Sequence, residues 1–432
     1  MSDNGLTRPS YAFALAVLLA GCLAGAAGGL IALILHMVQH LAYGYALNDL
    51  FGDESFLDGV RAASPWRRLA MLILCGAIAG IGWWLVYRFG RPLRSVAQAV
   101  DDPSHPMPPG PTVAHGALQI VTIALGSPLG REVAPREIGA LLAGWVGRHL
   151  RLEPEDLRTV IACGAGAGLA AVYNVPLGAA LFVLEVLLRS LAARHTIAAL
   201  SACTIGAYIA WAFLGDIITY RIPDLTMDGS LVLWAVLCGP LFGLAGHAYA
   251  RLTGDARKAG LRNGWMIPAC LAAFSAVGLA AMIVPELLGN GHGPIQLGLE
   301  GGITPRLALV LIVLKLVATV LVLRAGASGG LLTPGMTIGA LIALILGAGW
   351  VALTGAAIPA GSFALIGAAA LLSVSMKMPV TAVVLTMEFT RANTDFFVPV
   401  ILAVAGACAT AATLRALAQR RAAGGRVSVP GA

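Results

Sequence analysis

The chain has 432 residues, of which 58% are hydrophobic and only 11% are charged, and its mean hydropathy is +0.85. Such a chain has too little polar surface to cover a soluble globule, which predicts an integral membrane protein. The net charge of +7 comes from basic residues that flank apolar stretches and do not form a stripe with interleaved aromatics. This pattern indicates contact with lipid headgroups and argues against nucleic acid as a partner.

Seven apolar windows are long enough to cross the ~30 Å hydrocarbon core as helices of about 20 residues. In chain order they cover 12–38, 69–87, 195–214, 230–250, 265–285, 305–323 and 396–414. Six others are too short or broken, and each is bounded by Gly or Pro: 113–125, 136–147, 161–173, 176–188, 336–350 and 376–389. Interrupted apolar segments at matching places in two halves are typical of transporters built from inverted repeats. We therefore predict an all-α polytopic membrane protein of two inverted-topology repeats, whose broken helices meet at mid-membrane.

An internal duplication supports the prediction of two repeats. Gly164, Pro176 and Glu185 recur as Gly367, Pro379 and Glu388, at a constant offset of 203 (367 − 164, 379 − 176 and 388 − 185). A second pattern recurs at an offset of 200: Gly126, Gly130 and Ile138-Gly139-Ala140-Leu141 against Gly326, Gly330 and Ile338-Gly339-Ala340-Leu341. The two halves are therefore predicted to fold alike.

Polar segments divide the chain into a tail (1–11), a first membrane repeat (12–215), a linker (216–229), a second membrane repeat (230–418) and a second tail (419–432). The first apolar segment has no clean small-residue cleavage site, so we predict a retained helix and not a signal peptide. A basic cluster near the end predicts a cytoplasmic C terminus for a multi-pass protein of the cell membrane: Arg415, Arg420, Arg421 and Arg426.

Glu185 and Glu388 are the repeated acidic residues of the two halves. Each lies near the end of a short apolar segment that opens with proline, which is harmless in the first turn of a helix. In the structural interpretation each glutamate reaches interfacial water or caps a neighbouring helix. In the functional interpretation each is a proton or ion ligand.

Two glycine-rich segments, 126–135 and 326–334, each precede an apolar stretch. A helix that begins inside a membrane has free N–H groups and about half a positive charge at its N-terminal end. Glycine allows an anion to approach this backbone closely. The sequence therefore predicts two anion-favouring helix ends, related by the repeat, that converge on one site.

Glu132 lies in the first of these segments and has no acidic counterpart in the second, where Leu332 takes its place. A carboxylate at an anion-binding helix end competes with a permeating anion for the same donors. Protonation would neutralise and release it, so Glu132 is predicted to be a gate that couples anion passage to pH. The alternative is a structural ion pair with Arg131 or Arg136.

Other candidate sites are weaker. His292, in a loop rich in glycine, is predicted to be a solvated turn residue, and the seven cysteines lack CxxC spacing and are predicted to be buried apolar residues. No Walker loop, HExxH motif or Ser-His-Asp arrangement occurs. The sequence thus predicts no enzyme, no metal site and no cofactor. A membrane enzyme or a transporter of organic substrates remains an alternative.

Three stretches resemble the CLC chloride channel and transporter family. Residues 130–135, Gly-Arg-Glu-Val-Ala-Pro, are similar to the family's Gly-Arg-Glu-Gly-Pro motif, whose glutamate is the gate. Residues 164–177 resemble its next helix and Asn-Ala-Pro turn, and residues 329–334 its Gly-Gly-Ile-Phe-x-Pro motif. The resemblance spans about residues 12–415. It implies chloride as substrate, a gate at Glu132 and an anion site at Gly130, Arg131, Gly330 and the amides of Leu331 and Leu332. It further implies a homodimer, and the family includes voltage-gated channels.

Two anion ligands of the family lack a clean counterpart. For the Gly-Ser-Gly-Ile-Pro motif, a gap-free placement sets Arg91 at the serine position, where it would either attract anions or face cytoplasmic headgroups. The family's central tyrosine has no match either, because residues 396–432 contain no Tyr.

Exchangers of the family carry a second glutamate directly after the position of Glu185. This chain has Val186 there. The absence of this glutamate favours passive conduction, with a proton-coupled chloride antiporter as the alternative. A fluoride transporter is a further alternative, since Thr333 agrees with that branch, but Leu331 replaces its glutamate and chloride is preferred.

Overall fold

The computed structural model describes residues 11–44, 55–223 and 225–424, with side chains described up to residue 419. The predicted tails at 1–10 and 425–432, with Arg426 of the basic cluster, and Asp224 of the predicted linker lie outside the described residues. Within the described chain the protein is all-helical, and the only extended pairing there is a bridge between two single residues.

The described residues of the first half form nine α-helices: α1 (Tyr11–Tyr43), α2 (Phe56–Ala62), α3 (Pro65–Phe89), α4 (Val96–Asp101), α5 (Pro109–Ala124), α6 (Val133–His149), α7 (Pro154–Tyr173), α8 (Pro176–Phe182) and α9 (Ala193–Leu214). A π-helical segment, Val183–Leu188, continues α8. The second half contains α10 (Gly229–Lys258), α11 (Met266–Ile283), α12 (His292–Leu299), α13 (Pro305–Ala325), α14 (Leu332–Thr354), α15 (Ala360–Ser375), α16 (Pro379–Thr390) and α17 (Phe397–Gly424). Short 3₁₀ turns, Pro285–Leu287 and Thr394–Phe396, precede α12 and α17.

Eight helices in the described chain are long and apolar enough to cross a membrane, by length and composition. Seven of them match the seven predicted windows, to within two residues where a window extends past its helix: α1, α3, α9, α10, α11, α13 and α17. The eighth is α14, and the prediction of a short segment at 336–350 was wrong. Pro334 lies in its first turn, where proline is tolerated, and the helix runs on to Gly355, which ends it at φ +70°.

The repeated glycines explain how the two halves pack alike. Gly139 of α6 lies against the carbonyl of Gly164 in α7, with no room for a side chain between them. Gly339 of α14 lies in the same way against the carbonyl of Gly367 in α15. Small residues let helix backbones approach closely inside a membrane, where van der Waals packing holds helices together. The residues repeated at offsets of 200 and 203 therefore form the same helix–helix contact in each half.

Glu185 and Glu388 cap each other's helices across the two halves. Glu388 accepts hydrogen bonds from the amides of Leu177 (3.0 Å) and Gly178 (2.6 Å) at the start of α8. Glu185 accepts bonds from the amides of Val380 (3.1 Å) and Thr381 (2.8 Å) at the start of α16. A carboxylate at a helix N-terminus satisfies free N–H groups and the helix dipole. These contacts agree with the structural interpretation, in which each glutamate caps a neighbour.

The two membrane faces differ in charge. Near the end of α3, Arg262 lies 5.7 Å over the ring of Tyr87, and Arg94 lies close enough to Arg148, at the end of α6, to interact electrostatically. Gly239 of α10 packs on Ala403 of α17, and Gly243 packs on Ala407 one turn further along both helices. The two helices therefore run parallel. The ends of α3, α6, α10 and α17 therefore share one face, which we call the basic face for Arg88, Arg94, Arg148, Lys258 and Arg262.

Candidate anion site between the two halves

Two glycines join the halves at the centre of the molecule. The amide of Gly130 donates to the carbonyl of Gly330 and the amide of Gly330 donates to the carbonyl of Gly130, both at 2.8 Å. The turns before them also match, since Gly126 and Gly326 have φ of +106° and +103°, which only glycine adopts readily. The bridge sets the first residues of α6 beside the first residues of α14.

Glu132 precedes α6 and is 0% exposed. Its Oε1 accepts a hydrogen bond of 2.7 Å from the amide of Leu332, at the start of α14. The carboxylate of the first repeat therefore occupies the positive end of a helix from the second. The hydroxyl of Tyr173 lies 3.5 Å from Glu132 Oε2 and 3.2 Å from Thr333 Oγ1, which closes the site from the side of α7.

Three arginines surround this site. Arg136 Nε donates to the backbone carbonyl of Glu132 at 2.7 Å, and an Arg257 Nη donates to the carbonyl of Gly329 at 2.8 Å. Both lie within electrostatic range of the Glu132 carboxylate. The guanidinium of Arg131 lies 4.9 Å over the ring of Tyr173. No salt bridge joins Glu132 to Arg131 or Arg136 in the part of the chain that the structure describes, so the structural ion pair is not found.

The sequence-predicted residues Gly130, Glu132, Gly330 and Leu332 come together, with the amide of Leu331 preceding that of Leu332. Arg131 lines the cavity that leads to them.

Arg91 is not brought to this site by any described contact. It is exposed in the segment between α3 and α4, four residues before Ser95, the residue that caps α4. Its role as an anion ligand stays a prediction that the described contacts do not support.

Sequence reasoning missed two tyrosines. Tyr173 lies in the quoted stretch 164–177, but nothing there shows that its hydroxyl faces Glu132. Tyr249 of α10 is 4% exposed, and its hydroxyl is buried with no hydrogen-bond partner among the described residues. The edge of its ring lies beside Gly335 in the first turn of α14, and the phenol is within electrostatic range of Glu132.

A cavity of about 240 Å³ leads to the site from the face opposite the basic one. Arg131 and Tyr173 line it together with His36 and His292. The prediction of a turn residue at His292 was wrong: it is the half-buried first residue of α12. Its Nε2 lies 2.8 Å from the carbonyl of Thr219 and its ring stacks on Tyr220 with centroids 4.5 Å apart. These two contacts hold the ring in place, which a glycine-rich loop does not suggest.

Asp216 stands at the rim of this cavity, beyond the end of α9. Hydrogen bonds from Arg391 and then from Asn174 hold the pKa of its carboxyl below the usual range. The ion pair ties the segment after α9 to the end of α16. Within the described ranges, no group of three or more His, Cys, Asp or Glu side chains could hold a metal ion.

Fold and site together define a duplicated helical membrane protein with an anion-favouring helix end at its centre. Residues 75–412 match the family model described as voltage gated chloride channel, and the chain belongs to this CLC family.

Relatives cover most of the chain. An H⁺/Cl⁻ exchange transporter, ClcA, of Vibrio campbellii is 28% identical over 80% of this chain and 77% of its own. A ClcB-like chloride channel protein of Ralstonia nicotianae is 28% identical over 78% of this chain and 81% of its own.

Among solved structures, a slow cyanobacterial Cl⁻/H⁺ antiporter has a TM-score of 0.79 at 19% identity, covering 94% of this chain and 95% of its own. A CLC-type fluoride/proton antiporter has a TM-score of 0.65 at 21% identity, covering 92% and 95%. At these identities the structures bear on the fold alone, and they agree with the predicted CLC-like architecture.

Proposed function

We propose that this protein is a proton-coupled anion antiporter that carries chloride, with Glu132 as both gate and proton carrier. The observation that carries the proposal is the 2.7 Å hydrogen bond from the amide of Leu332 to the carboxylate of Glu132. The same helix end is the best place for a bound anion, because its N–H groups and dipole favour negative charge. A carboxylate and an anion cannot use this donor together.

This competition couples the two ions. While Glu132 is ionised, its carboxylate holds the amide of Leu332 and excludes chloride. Protonation removes the negative charge that the helix end favours, so the side chain leaves and the amides of Leu331 and Leu332 can bind chloride. Chloride is then displaced only when Glu132 loses its proton and returns. Each cycle therefore moves a proton and chloride in opposite directions.

The surrounding side chains add to the field that holds an anion. Arg131, Arg136 and Arg257 bring positive charge around the buried carboxylate of Glu132, where electrostatic interactions are stronger than in water. The ring of Tyr249 lies beside Gly335 in the first turn of α14, and its hydroxyl has no hydrogen-bond partner among the described residues. We assign to it the tyrosine donor that residues 396–432 lack.

Passive conduction is the second candidate, because Val186 stands where exchangers of the family carry a second glutamate. The H⁺/Cl⁻ exchange activity named for the Vibrio relative supports antiport instead. The fluoride/proton antiporter neighbour supports a fluoride substrate only by its fold, and Leu331 does not match that branch.

Purified protein in sealed liposomes separates these candidates. We expect an outward chloride gradient to drive proton uptake against the pH gradient at a fixed ratio, with F⁻, NO₃⁻ and Br⁻ as comparison anions. Chloride flux that never moves protons uphill would establish passive conduction. Silence to every anion would instead revive a transporter of organic substrates or a membrane enzyme.

The charge asymmetry supports a cytoplasmic location for the basic face, and hence for the C-terminal end of α17. The homodimer and voltage gating implied by the family resemblance remain predictions. Light scattering of the detergent-solubilised protein would test the dimer.

A further inference from the structure

The charged and polar side chains of α5 and α6 form a buried cluster that the gating of Glu132 does not use. His115 Nδ1 lies 2.8 Å from Glu137 Oε2, and the side chains are only 9% and 12% exposed. Gln119 Nε2 lies 2.9 Å from the same His115 nitrogen and 3.2 Å from the same Glu137 oxygen. Three polar groups thus converge inside the apolar contact of α3, α5 and α6.

The short distance between His115 and Glu137 has a chemical meaning. An ionised carboxylate oxygen and an unprotonated ring nitrogen are both acceptors, and they do not approach to 2.8 Å without a proton between them. The pair therefore holds one proton at Nδ1 or at Oε2, and Nε2 of His115 offers a place for a second. Histidine gains and loses its charge within the pH range of cells.

We propose that His115 and Glu137 form a proton-binding site that loads Glu132 from the basic face. The proposal rests on the antiport function above, which needs a proton acceptor on that side in place of the glutamate that Val186 replaces. Glu137 lies five residues beyond Glu132, about 7.5 Å along α6 at about 1.5 Å per residue, in the direction of Arg148. The pair thus lies between the gate and the basic face.

A polar stripe connects the pair with the start of α5. Thr112, His115 and Gln119 are spaced by three and four residues, so they share one face of the helix. Thr112 Oγ1 and Gln119 Oε1 are buried with no hydrogen-bond partner among the described residues. Buried polar atoms of this kind are normally satisfied by water. Water on this stripe would carry a proton from the basic face to His115, and a short water chain would carry it on to Glu132.

The charges around the pair are compatible with this role. The elements packed against α5 are α1, α3 and α6. Arg136 is within electrostatic range of Glu137, while the ring of Trp83 on α3 faces His115 at 6.3 Å. The other buried or half-buried titratable side chains of these helices are Arg68, Cys75 and Tyr87 on α3, His36, His40 and Tyr43 on α1, and Glu132 and Arg148 at the two ends of α6.

The test replaces each member of the pair in the full-length protein and measures chloride flux and proton uptake in the same liposomes. For Glu137→Gln and His115→Gln we expect chloride flux within about twofold of wild type and proton uptake at least about tenfold lower. His105 and Asp102 form a matched control, because they are a second His–carboxylate pair at 2.7 Å, exposed in the segment between α4 and α5. His105→Gln and Asp102→Asn should leave the chloride-to-proton ratio unchanged.

The outcomes separate this inference from the function on which it rests. Unchanged proton uptake in both Glu137→Gln and His115→Gln would overturn the proton site while leaving antiport intact, and the pair would be a structural link between α5 and α6. Wild-type protein that moves chloride but no protons would overturn antiport and the proton site together.

A second measurement does not depend on transport. Infrared difference spectra between acid and neutral pH should contain a protonated carboxyl band that Glu137→Gln removes and Asp102→Asn keeps. If Glu137→Gln fails to fold, His115→Gln should still reduce the band. A band unchanged in every folded variant would overturn the assignment.

Discussion

Glu132 shows why a buried carboxylate is tolerated at the centre of an apolar protein. An ionised group taken out of water is costly unless it is paired or hydrogen-bonded. Here the amide of Leu332 donates directly, the dipole of α14 adds positive potential, and Arg136 and Arg257 lie within electrostatic range. None of these groups binds the carboxylate as a fixed salt bridge in the described chain. In the proposed mechanism, the side chain is held well enough to fill the site and is released by one proton.

Tyr249→Phe tests the proposed role of the free hydroxyl. The change removes one oxygen, and since that oxygen has no partner in the described structure, we expect no loss of thermal stability. A net hydrogen bond is worth about 0.5–1.5 kcal/mol, so chloride affinity should fall by about 2- to 12-fold. Isothermal titration of chloride into the detergent-solubilised protein measures this affinity.

Tyr208→Phe is the control, because Tyr208 is exposed on α9. Equal chloride affinity in wild type and Tyr249→Phe would remove Tyr249 from the site.

Sequence patterns predicted those residues of the candidate anion site whose surroundings are set by their neighbours in the chain. Gly130, Glu132, Gly330 and Leu332 stand in glycine-rich turns before apolar helices, and that local pattern carries the chemistry. Tyr173, Tyr249 and Arg257 reach the site from other helices, so only their packing reveals them. The same is true of His115 and Glu137, which are separated by 22 residues and meet only when α5 lies on α6.

Among the helices, the duplication is clearest at the starts of α8 and α16, where Glu388 of the second half caps α8 and Glu185 of the first half caps α16. Glu388→Ala would leave the amides of Leu177 and Gly178 without their acceptor. Loss of a helix cap costs about 0.5–2 kcal/mol, and we expect a lower midpoint of thermal unfolding with chloride-to-proton coupling unchanged.

Glu153→Ala serves as the matched change, since Glu153 precedes α7 without any side-chain capping bond. A Glu388→Ala protein as stable as Glu153→Ala would contradict the capping role, and lost coupling would return Glu388 to the functional interpretation.

Helix prediction succeeded where apolar windows were long and failed where glycine and proline were given too much weight. Pro334 and the glycines of α14 suggested a broken segment, yet proline is harmless in a first turn and the packed helix tolerates Gly347. The exposed or amphipathic helices α2, α4 and α12 lack any long apolar window. The capping residues Ser55 and Ser95 are signals that would have revealed α2 and α4, whereas α12 begins after Gly291 without a side-chain cap.

For the whole molecule, the charge difference between its faces predicts the orientation in the membrane. We expect Ser104→Cys, between α4 and α5, to be labelled by a membrane-impermeant maleimide only after cells are opened. Asn393→Cys, between α16 and α17, should be labelled in intact cells, because it lies on the opposite face. The wild-type protein is the control for labelling of the native cysteines. The reverse pattern would place the basic face outside.

The decisive measurement is chloride flux and proton uptake by Glu132→Gln in sealed liposomes over a range of pH. Glutamine keeps the size of the side chain but cannot ionise, so it cannot hold the helix end as a carboxylate or carry a proton. We expect chloride flux to persist, to lose its dependence on pH and to move no protons. Flux, pH response and proton uptake all equal to those of wild type would contradict Glu132 as the gate and the coupling group.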